Sequence, residues 1–505
     1  LTALGSAACT QAGDDEQPST ERVAGADAPE SQKSLEEILE TPFDEWAAED
    51  LDLVRFASGE LSSAEYVLRY PGTALVAEER KAALAAEAVS FDAPDARVGQ
   101  TSQALTTLTP GVWNTVQVPA GRCSDGSPYK VFVMPAEDPA VRASGELVVF
   151  LEPGGACWDY PSCTGQAGIR GAANPNGIPD NFMSIVDFLD PNTEGGSVNP
   201  LISPLLYNAS AIGIEPNRVQ TDRWNKVFMP YCTGDVHSGN QITRYSDPEG
   251  VGPDIDFFHY GAVNVDASLA ILQSIFTPPA DLLVTGCSAG GAGAMVNYRF
   301  FREALQPLRS TLLNDSGPIF TAPGSGLQFP LHQEISAIWN VDFRLDQLEA
   351  ASGLPISGDF GLVNEANAVM FPGDRLGITL LRQDFNYSVY SYARFYGFDE
   401  NSSQGENRIL DFWNDDIDNL VDQYDGYSNL YYHLPFYRSF NDSHCTTILN
   451  WSGTQIRSSG YFVNDFIDDL LDPSASPRNS DEGFYFWDYF VFNFPTWLGD
   501  LILGG

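Results

Sequence analysis

The five residues Gly286-Cys287-Ser288-Ala289-Gly290 set one hydroxyl midway between two glycines, the G-x-S-x-G spacing of a nucleophile elbow. In such an elbow the serine sits at the apex of a strained strand-to-helix turn, and a glycine two residues to either side removes side chains that would collide there. The run Leu282-Leu283-Val284 before it is strand-like. Gly291-Ala292-Gly293-Ala294-Met295-Val296 after it reads as a helix start of small residues that can lie close on a sheet. Ser288 is therefore the candidate nucleophile. A serine hydroxyl is weak near neutral pH and needs a general base, normally a histidine oriented by a carboxylate. The five histidines are His237, His259, His332, His433 and His444. Elbow serines are followed in the chain by the acid and then the histidine, which restricts the choice to the last three. His332 follows too closely to leave room for a strand carrying the acid, and His433 lies in an aromatic stretch, YYHLPFY, that reads as packing. His444 lies in the polar loop Asn441-Asp442-Ser443-His444-Cys445-Thr446-Thr447 and is the candidate base.

The acid should follow a strand between Ser288 and His444. Leu376-Gly377-Ile378-Thr379-Leu380-Leu381 supplies one, with Asp384 just beyond it. Asp315, in Leu313-Asn314-Asp315-Ser316-Gly317, is the rival, but it follows the elbow helix closely and is expected to shape a loop near the site. Asp374 and the acidic run from Asp411 to Asp418 read as solvated faces or turn formers. An oxyanion hole needs backbone N–H groups aimed at the developing charge. One comes from the residue after the nucleophile, Ala289, and the others from Gly154, Gly155 and Ala156, which follow the apolar run ending at Leu151.

Such residues must be held by strands. Gly145–Leu151 and Lys226–Tyr231 are further buried-strand candidates, each ending in a glycine-rich or polar loop. Strands alternating with helices predict an α/β fold, a mostly parallel central sheet flanked by helices with its active residues at the carboxyl ends of the strands. Residues 108–505 form the expected catalytic domain. Residues 34–107 carry apolar residues at helical spacing and are expected to be a helical N-terminal extension. Residues 1–33 combine the remnant of a signal peptide with an acidic stretch, Gln11 to Lys33, expected to be a disordered tether. Cys9 is either a lipid-attachment cysteine or the neighbour of an ordinary signal-peptidase site. No run of about twenty apolar residues is present to span a membrane.

The 505 residues carry 68 acidic against 26 basic side chains, a net charge of −42, and only four of the basic residues are lysine. No basic face can form to hold phosphates, which excludes nucleic acid as a partner. Seven cysteines without a C-x-x-C pair argue against a zinc or thioredoxin-type centre and for a disulfide-permissive compartment. Neither a metal nor a cofactor is expected. Cys157 and Cys163 bracket a short loop that a disulfide would close.

Several separated motifs together resemble the pectin acetylesterase family, which includes the Notum carboxylesterases. Cys123-Ser124-Asp125-Gly126-Ser127 resembles the family's CxDGS, Leu151 to Cys157 its LEGGGWC, and Trp224-Asn225-Lys226 with Tyr231 to Gly239 its WNKV…YCxxDxxSG. The elbow, Asp315-Ser316-Gly317 and His444-Cys445-Thr446-Thr447 (compare HCQT) follow in order, so the likeness extends over roughly residues 108–460. It implies an α/β-hydrolase with a Ser-Asp-His triad that removes acyl groups from carbohydrate or protein hydroxyls without a metal. It also implies disulfides Cys123–Cys232 and Cys157–Cys163. Cys287 and Cys445, each beside a proposed triad residue, are left to pair. Two departures stand out. The family's acid position carries Asn386, so either Asp384 has taken over or the triad is impaired, and Pro153 and Ala156 replace a glycine and the tryptophan of LEGGGWC.

The expectation is a serine carboxylesterase, secreted or attached to the cell envelope as a bacterial lipoprotein would be. It would act on acylated, foremost acetylated, carbohydrate or a related ester. The alternatives are a lipid-type acyl esterase of Notum-like specificity and a non-catalytic binding protein on a hydrolase scaffold.

Overall fold

The computed structural model describes residues 108–166, 173–180, 182–183, 199–202, 219–438, 443–448, 451 and 453–483. Cys9, the tether over 1–33 and the helical extension over 34–107 lie outside the described residues, as do the last 22 residues of the expected catalytic domain.

Nine strands form one sheet in the order β1-β2-β4-β3-β7-β8-β9-β10-β11. They are β1 (Asn114–Arg122), β2 (Pro128–Met134), β3 (Leu147–Leu151), β4 (Asn225–Met229), β7 (Asp281–Cys287), β8 (Arg309–Asp315), β9 (Arg375–Thr379), β10 (Leu430–Leu434) and β11 (Ser480–Asp481), while β5 (Gln241–Tyr245) and β6 (Ile255–His259) make a separate hairpin. β1 and β2 enter antiparallel, β2 pairs antiparallel with β4, and all pairings from β4 to β11 are parallel. The uninterrupted apolar run Leu147-Val148-Val149-Phe150-Leu151 is fully buried. A parallel strand covered on both faces requires such a run, whereas a half-exposed strand would alternate. The expected strands at 145–151 and 226–231 are therefore present, each with ends one or two residues different.

The helices α1 (Gly261–Ile275), α2 (Ala289–Leu305), α3 (Ser403–Asp425) and α4 (Val463–Leu471) flank this sheet. α2 packs on β3, β7 and β8, α1 on β1, α3 on β10, and α4 on β8 and β9. The small residues at the start of α2 let it approach closely. At Gly290 a Cβ would land on the Leu151 carbonyl oxygen of β3.

Register aligns the site. Leu151 pairs with Gly286, Cys287 with Asp315, and Asp315 with Thr379, so four adjacent parallel strands end on one line. Two sequence expectations are corrected. Asp374 is buried and accepts from Tyr298 Oη and Arg302 Nε, both at 2.9 Å, and Asp416 is buried and accepts from Tyr392 Oη at 2.6 Å. Neither is a solvated face, because each carboxylate is placed by a partner far away in sequence.

Candidate active site

The elbow turns at Ser288, whose φ of 55° and ψ of −123° lie outside the ordinary regions for an L-residue. Such a conformation costs on the order of 1–3 kcal/mol and persists only where its surroundings over-determine it. Here the Ser288 N–H donates to the Asp315 carbonyl at 2.8 Å and the Ser288 carbonyl accepts from Ala292 at 3.0 Å. Ser288 is the N-cap of the 17-residue helix α2, but its side chain makes no capping hydrogen bond. The hydroxyl is thereby left for chemistry at a helix end whose dipole favours negative charge.

His444 and Asp384 meet. The His444 Nδ1–H donates to Asp384 Oδ2 at 2.7 Å, with both side chains buried. A carboxylate can only accept, so this bond puts the proton on Nδ1 and directs the Nε2 lone pair away from the acid. Asp384 is the N-cap of the short helix Phe385–Ser388, and its Oδ1 accepts from the Tyr387 N–H at 2.9 Å. Burial raises the Asp384 carboxyl above its ordinary range, His444 and the Tyr387 N–H pull it back, and the charge of Asp315 pushes it up. Asn386 sits inside that helix, beyond the cap.

The histidine loop is tied to the elbow covalently, because Cys287 and Cys445, which directly adjoin Ser288 and His444, form a disulfide. A ring nitrogen of His444 lies within 4.8 Å of both sulfurs. The residues on either side of His444 both have left-handed backbone, Ser443 with φ 59° and Cys445 with φ 59°. For residues other than glycine this costs roughly 1–2 kcal/mol each, so the loop needs external fastening.

The other four histidines are engaged elsewhere. Nε2 of His237 donates to the Glu152 carbonyl at 2.9 Å and Nε2 of His433 to the Thr454 carbonyl at 2.8 Å. His259 contacts the Thr233 carbonyl and Tyr245 Oη, and His332 contacts Gln328 Oε1 and stacks on Phe360. Burial lowers all four, His237 and His433 to about 4 and His259 and His332 to about 3, so each is neutral near pH 7.

Opposite the elbow, β3 runs into Glu152-Pro153-Gly154-Gly155-Ala156. Gly154 has φ 150°, and a Cβ there would lie 2.6 Å from Ala173 Cβ and 2.8 Å from Tyr231. Glu152 anchors the turn, since its Oε2 accepts from the Tyr231 N–H at 2.6 Å and Asn174 Nδ2 at 2.9 Å. Ala289 packs with Ala173 and Tyr231, which brings the two proposed sources of oxyanion donors to one place. Beyond the turn, Trp158 and residues of 389–400 line a cavity of about 320 Å³ whose walls include Tyr390, Arg394 and Phe398. Arg394 of this wall pairs with Asp159, and the wall contains a π-helical turn, Val389–Ala393.

Disulfides Cys123–Cys232 and Cys157–Cys163 are formed as well. Among the described residues, two groupings have metal-ligand spacing, Cys157 with Cys163 and His259, and Cys287 with Cys445 and His444. In each the sulfurs are joined to one another, which leaves one histidine and no thiolate for a metal. Asp315 shapes a loop near the site, as expected, by accepting from Thr446 and Thr447 beside His444, whereas sequence reasoning missed the work of Glu152. Its only local signal is an acidic residue at the carboxyl end of a buried strand.

Sheet order, elbow and aligned strand ends define a protein of the α/β-hydrolase class. The family model for pectinacetylesterase matches residues 216–334. Parts of this chain are similar to pectin acetylesterases and to a Notum carboxylesterase. The chain is 25% identical to pectin acetylesterase 4 of Arabidopsis thaliana over 213 residues, 40% of this chain and 44% of that protein. It is also 25% identical to the palmitoleoyl-protein carboxylesterase NOTUM of Homo sapiens over 192 residues, 37% of this chain and 31% of that one. The chain thus spans less than half the length of these relatives. The structure of the Wnt deacylase Notum from Drosophila superposes with a TM-score of 0.46 at 17% identity, covering 74% of this chain and 96% of that one.

Proposed function

We propose that this protein is a serine carboxylesterase that removes acetyl or other short acyl groups from a carbohydrate or related ester. The observation that carries the reading is the buried Asp384–His444 pair, held by a disulfide against an elbow serine. In this reading His444 Nε2 takes the proton of the Ser288 hydroxyl as its oxygen attacks the ester carbonyl. The oxyanion is held by N–H groups of Ala289 and of the Gly154-Gly155-Ala156 turn, and the alcohol leaves with the proton from His444. Water then releases the acid from Ser288 by the same steps in reverse order.

The family relationship supports ester hydrolysis, and the names of the relatives supply two substrate types, acetylated pectin and a palmitoleoylated protein. The charge of −42 repels a polyuronate backbone at low ionic strength, which favours neutral acetylated glycans. Three disulfides support a secreted or envelope-attached protein, since such bonds persist in oxidising compartments.

Hydrolysis of 4-nitrophenyl esters of increasing acyl length, by wild type and Ser288→Ala, tests the reading. The expected result is turnover of the short esters that falls about 10⁴-fold or more in Ser288→Ala. Wild-type turnover no faster than that of Ser288→Ala would remove the esterase reading. A preference for long chains would move the assignment to a lipid-type ester.

A further inference from the structure

Asp315 closes β8 with its side chain fully buried, and the proposed chemistry gives it no task. Its carboxylate is nevertheless saturated. Oδ1 accepts from the Thr446 N–H at 2.8 Å, Thr446 Oγ1 at 3.0 Å and Ser316 Oγ at 3.0 Å. Oδ2 accepts from the Thr447 N–H at 2.9 Å and Thr447 Oγ1 at 2.7 Å. The Ser316 hydroxyl in turn accepts from the Cys445 N–H at 3.2 Å. Three successive backbone N–H groups after His444 are therefore gathered onto this residue and its neighbour. The carbonyl of the same Asp315 takes the Ser288 N–H at 2.8 Å, and the Ser316 N–H reaches the Thr379 carbonyl at the end of β9 at 2.7 Å.

One residue thus holds the nucleophile through its main chain and the base through its side chain. We propose that Asp315 is a positioning residue that sets the gap between Ser288 and His444 and holds the imbalanced, left-handed backbone on both sides of His444 in place. The proposal rests on reading Ser288 and His444 as nucleophile and base. It does not make Asp315 an alternative acid, since the imidazole bonds to Asp384. Both carboxylate oxygens are needed, because each receives a backbone N–H that cannot turn round. An asparagine must set its own NH2 group against one of them, which frees that side of the loop.

The test compares full-length wild type, Asp315→Asn and the double variant Thr446→Val/Thr447→Val, which keeps the backbone donors and removes only the two hydroxyls. A displacement of about 1 Å costs on the order of 10²-fold, so Asp315→Asn is expected to lose about 100-fold in kcat with KM changed less than about threefold. The double variant is expected to lose about tenfold, with the same split. A second readout does not depend on hydrolysis. The low-field proton resonance of His444 Nδ1–H, identified by its disappearance in His444→Gln, is expected to weaken or vanish in Asp315→Asn. A folded Asp315→Asn with wild-type kcat and an unchanged low-field signal overturns the proposal. If Asp315→Asn does not fold, wild-type kcat and signal in the double variant overturn it instead. If wild type fails to hydrolyse any ester, the esterase reading falls and the resonance alone decides whether Asp315 orders the histidine.

Discussion

Asp384→Asn is the substitution whose consequence can be worked out most closely from the structure. Asp384 holds two donors, the Tyr387 N–H on Oδ1 at 2.9 Å and His444 Nδ1–H on Oδ2 at 2.7 Å. Asparagine has one acceptor and one donor end. The Tyr387 N–H is fixed by the helix it begins, so the amide oxygen must stay there and the NH2 group must face the imidazole. Two N–H groups cannot meet at that distance, and the imidazole is forced to the tautomer with its proton on Nε2. In the proposed mechanism that nitrogen can then no longer accept the proton of Ser288. Loss of the correct tautomer in serine triads lowers kcat by about 10⁴, equivalent to about 5.5 kcal/mol in the barrier. Steady-state hydrolysis of 4-nitrophenyl acetate at pH 8, normalised to titrated active sites, measures it. Asn386→Ala is expected to remain within about threefold of wild type, since Asn386 lies beyond the cap inside the short helix and makes no bond to His444 among those that place the imidazole. An Asp384→Asn enzyme within tenfold of wild type would refute both the tautomer argument and the choice of acid.

Two further outcomes follow from the disulfides and the buried histidines. Cys287–Cys445 closes a loop with a sequence separation of 158 residues and Cys157–Cys163 one of 6, so the chain-entropy model assigns them about 5 and about 2 kcal/mol. Guanidinium unfolding of the two double-serine variants at pH 7 should show the larger loss for Cys287→Ser/Cys445→Ser, and the reverse order would contradict the entropic account. His433 is lowered by burial to about 4, against an unfolded value near 6.5. The unfolded chain therefore binds this proton first, and stability is lost as pH falls from 6.5 to 4, by about 3 kcal/mol in total. His433→Gln can still donate to the Thr454 carbonyl and has nothing to titrate. Its stability relative to wild type should rise across that window, and a difference independent of pH would show that His433 is not held neutral.

The sequence made the site legible wherever the chemistry is local. The elbow declares itself within five residues, and the apolar run ahead of the Gly154-Gly155 turn marks a strand buried on both faces. Asp384 is read from its place just past the strand over 376–381, and in the structure it caps a short helix and bonds to His444, while Asn386 lies within that helix. The burial of Asp374 and Asp416 was not legible because their partners lie tens of residues away. Asp315 is expected to shape a loop near the site, but which loop is not legible. Its five-residue neighbourhood looks like a turn, and its bonds to Thr446 and Thr447 close over 131 and 132 residues.

The cavity lined by Trp158 and residues 389–400 has a consequence for anyone seeking to redesign it. Its two walls differ in what else they do. The wall at 389–400 follows from Asp384 through the short helix Phe385–Ser388, so this cavity wall and the carboxylate bonded to His444 lie on one uninterrupted piece of chain. Insertions there are expected to disturb the Asp384–His444 pair as they change the cavity. Trp158 belongs instead to a short loop pinned by the Cys157–Cys163 disulfide. A mutational library confined to that loop would reshape the cavity while leaving the proton relay as it is.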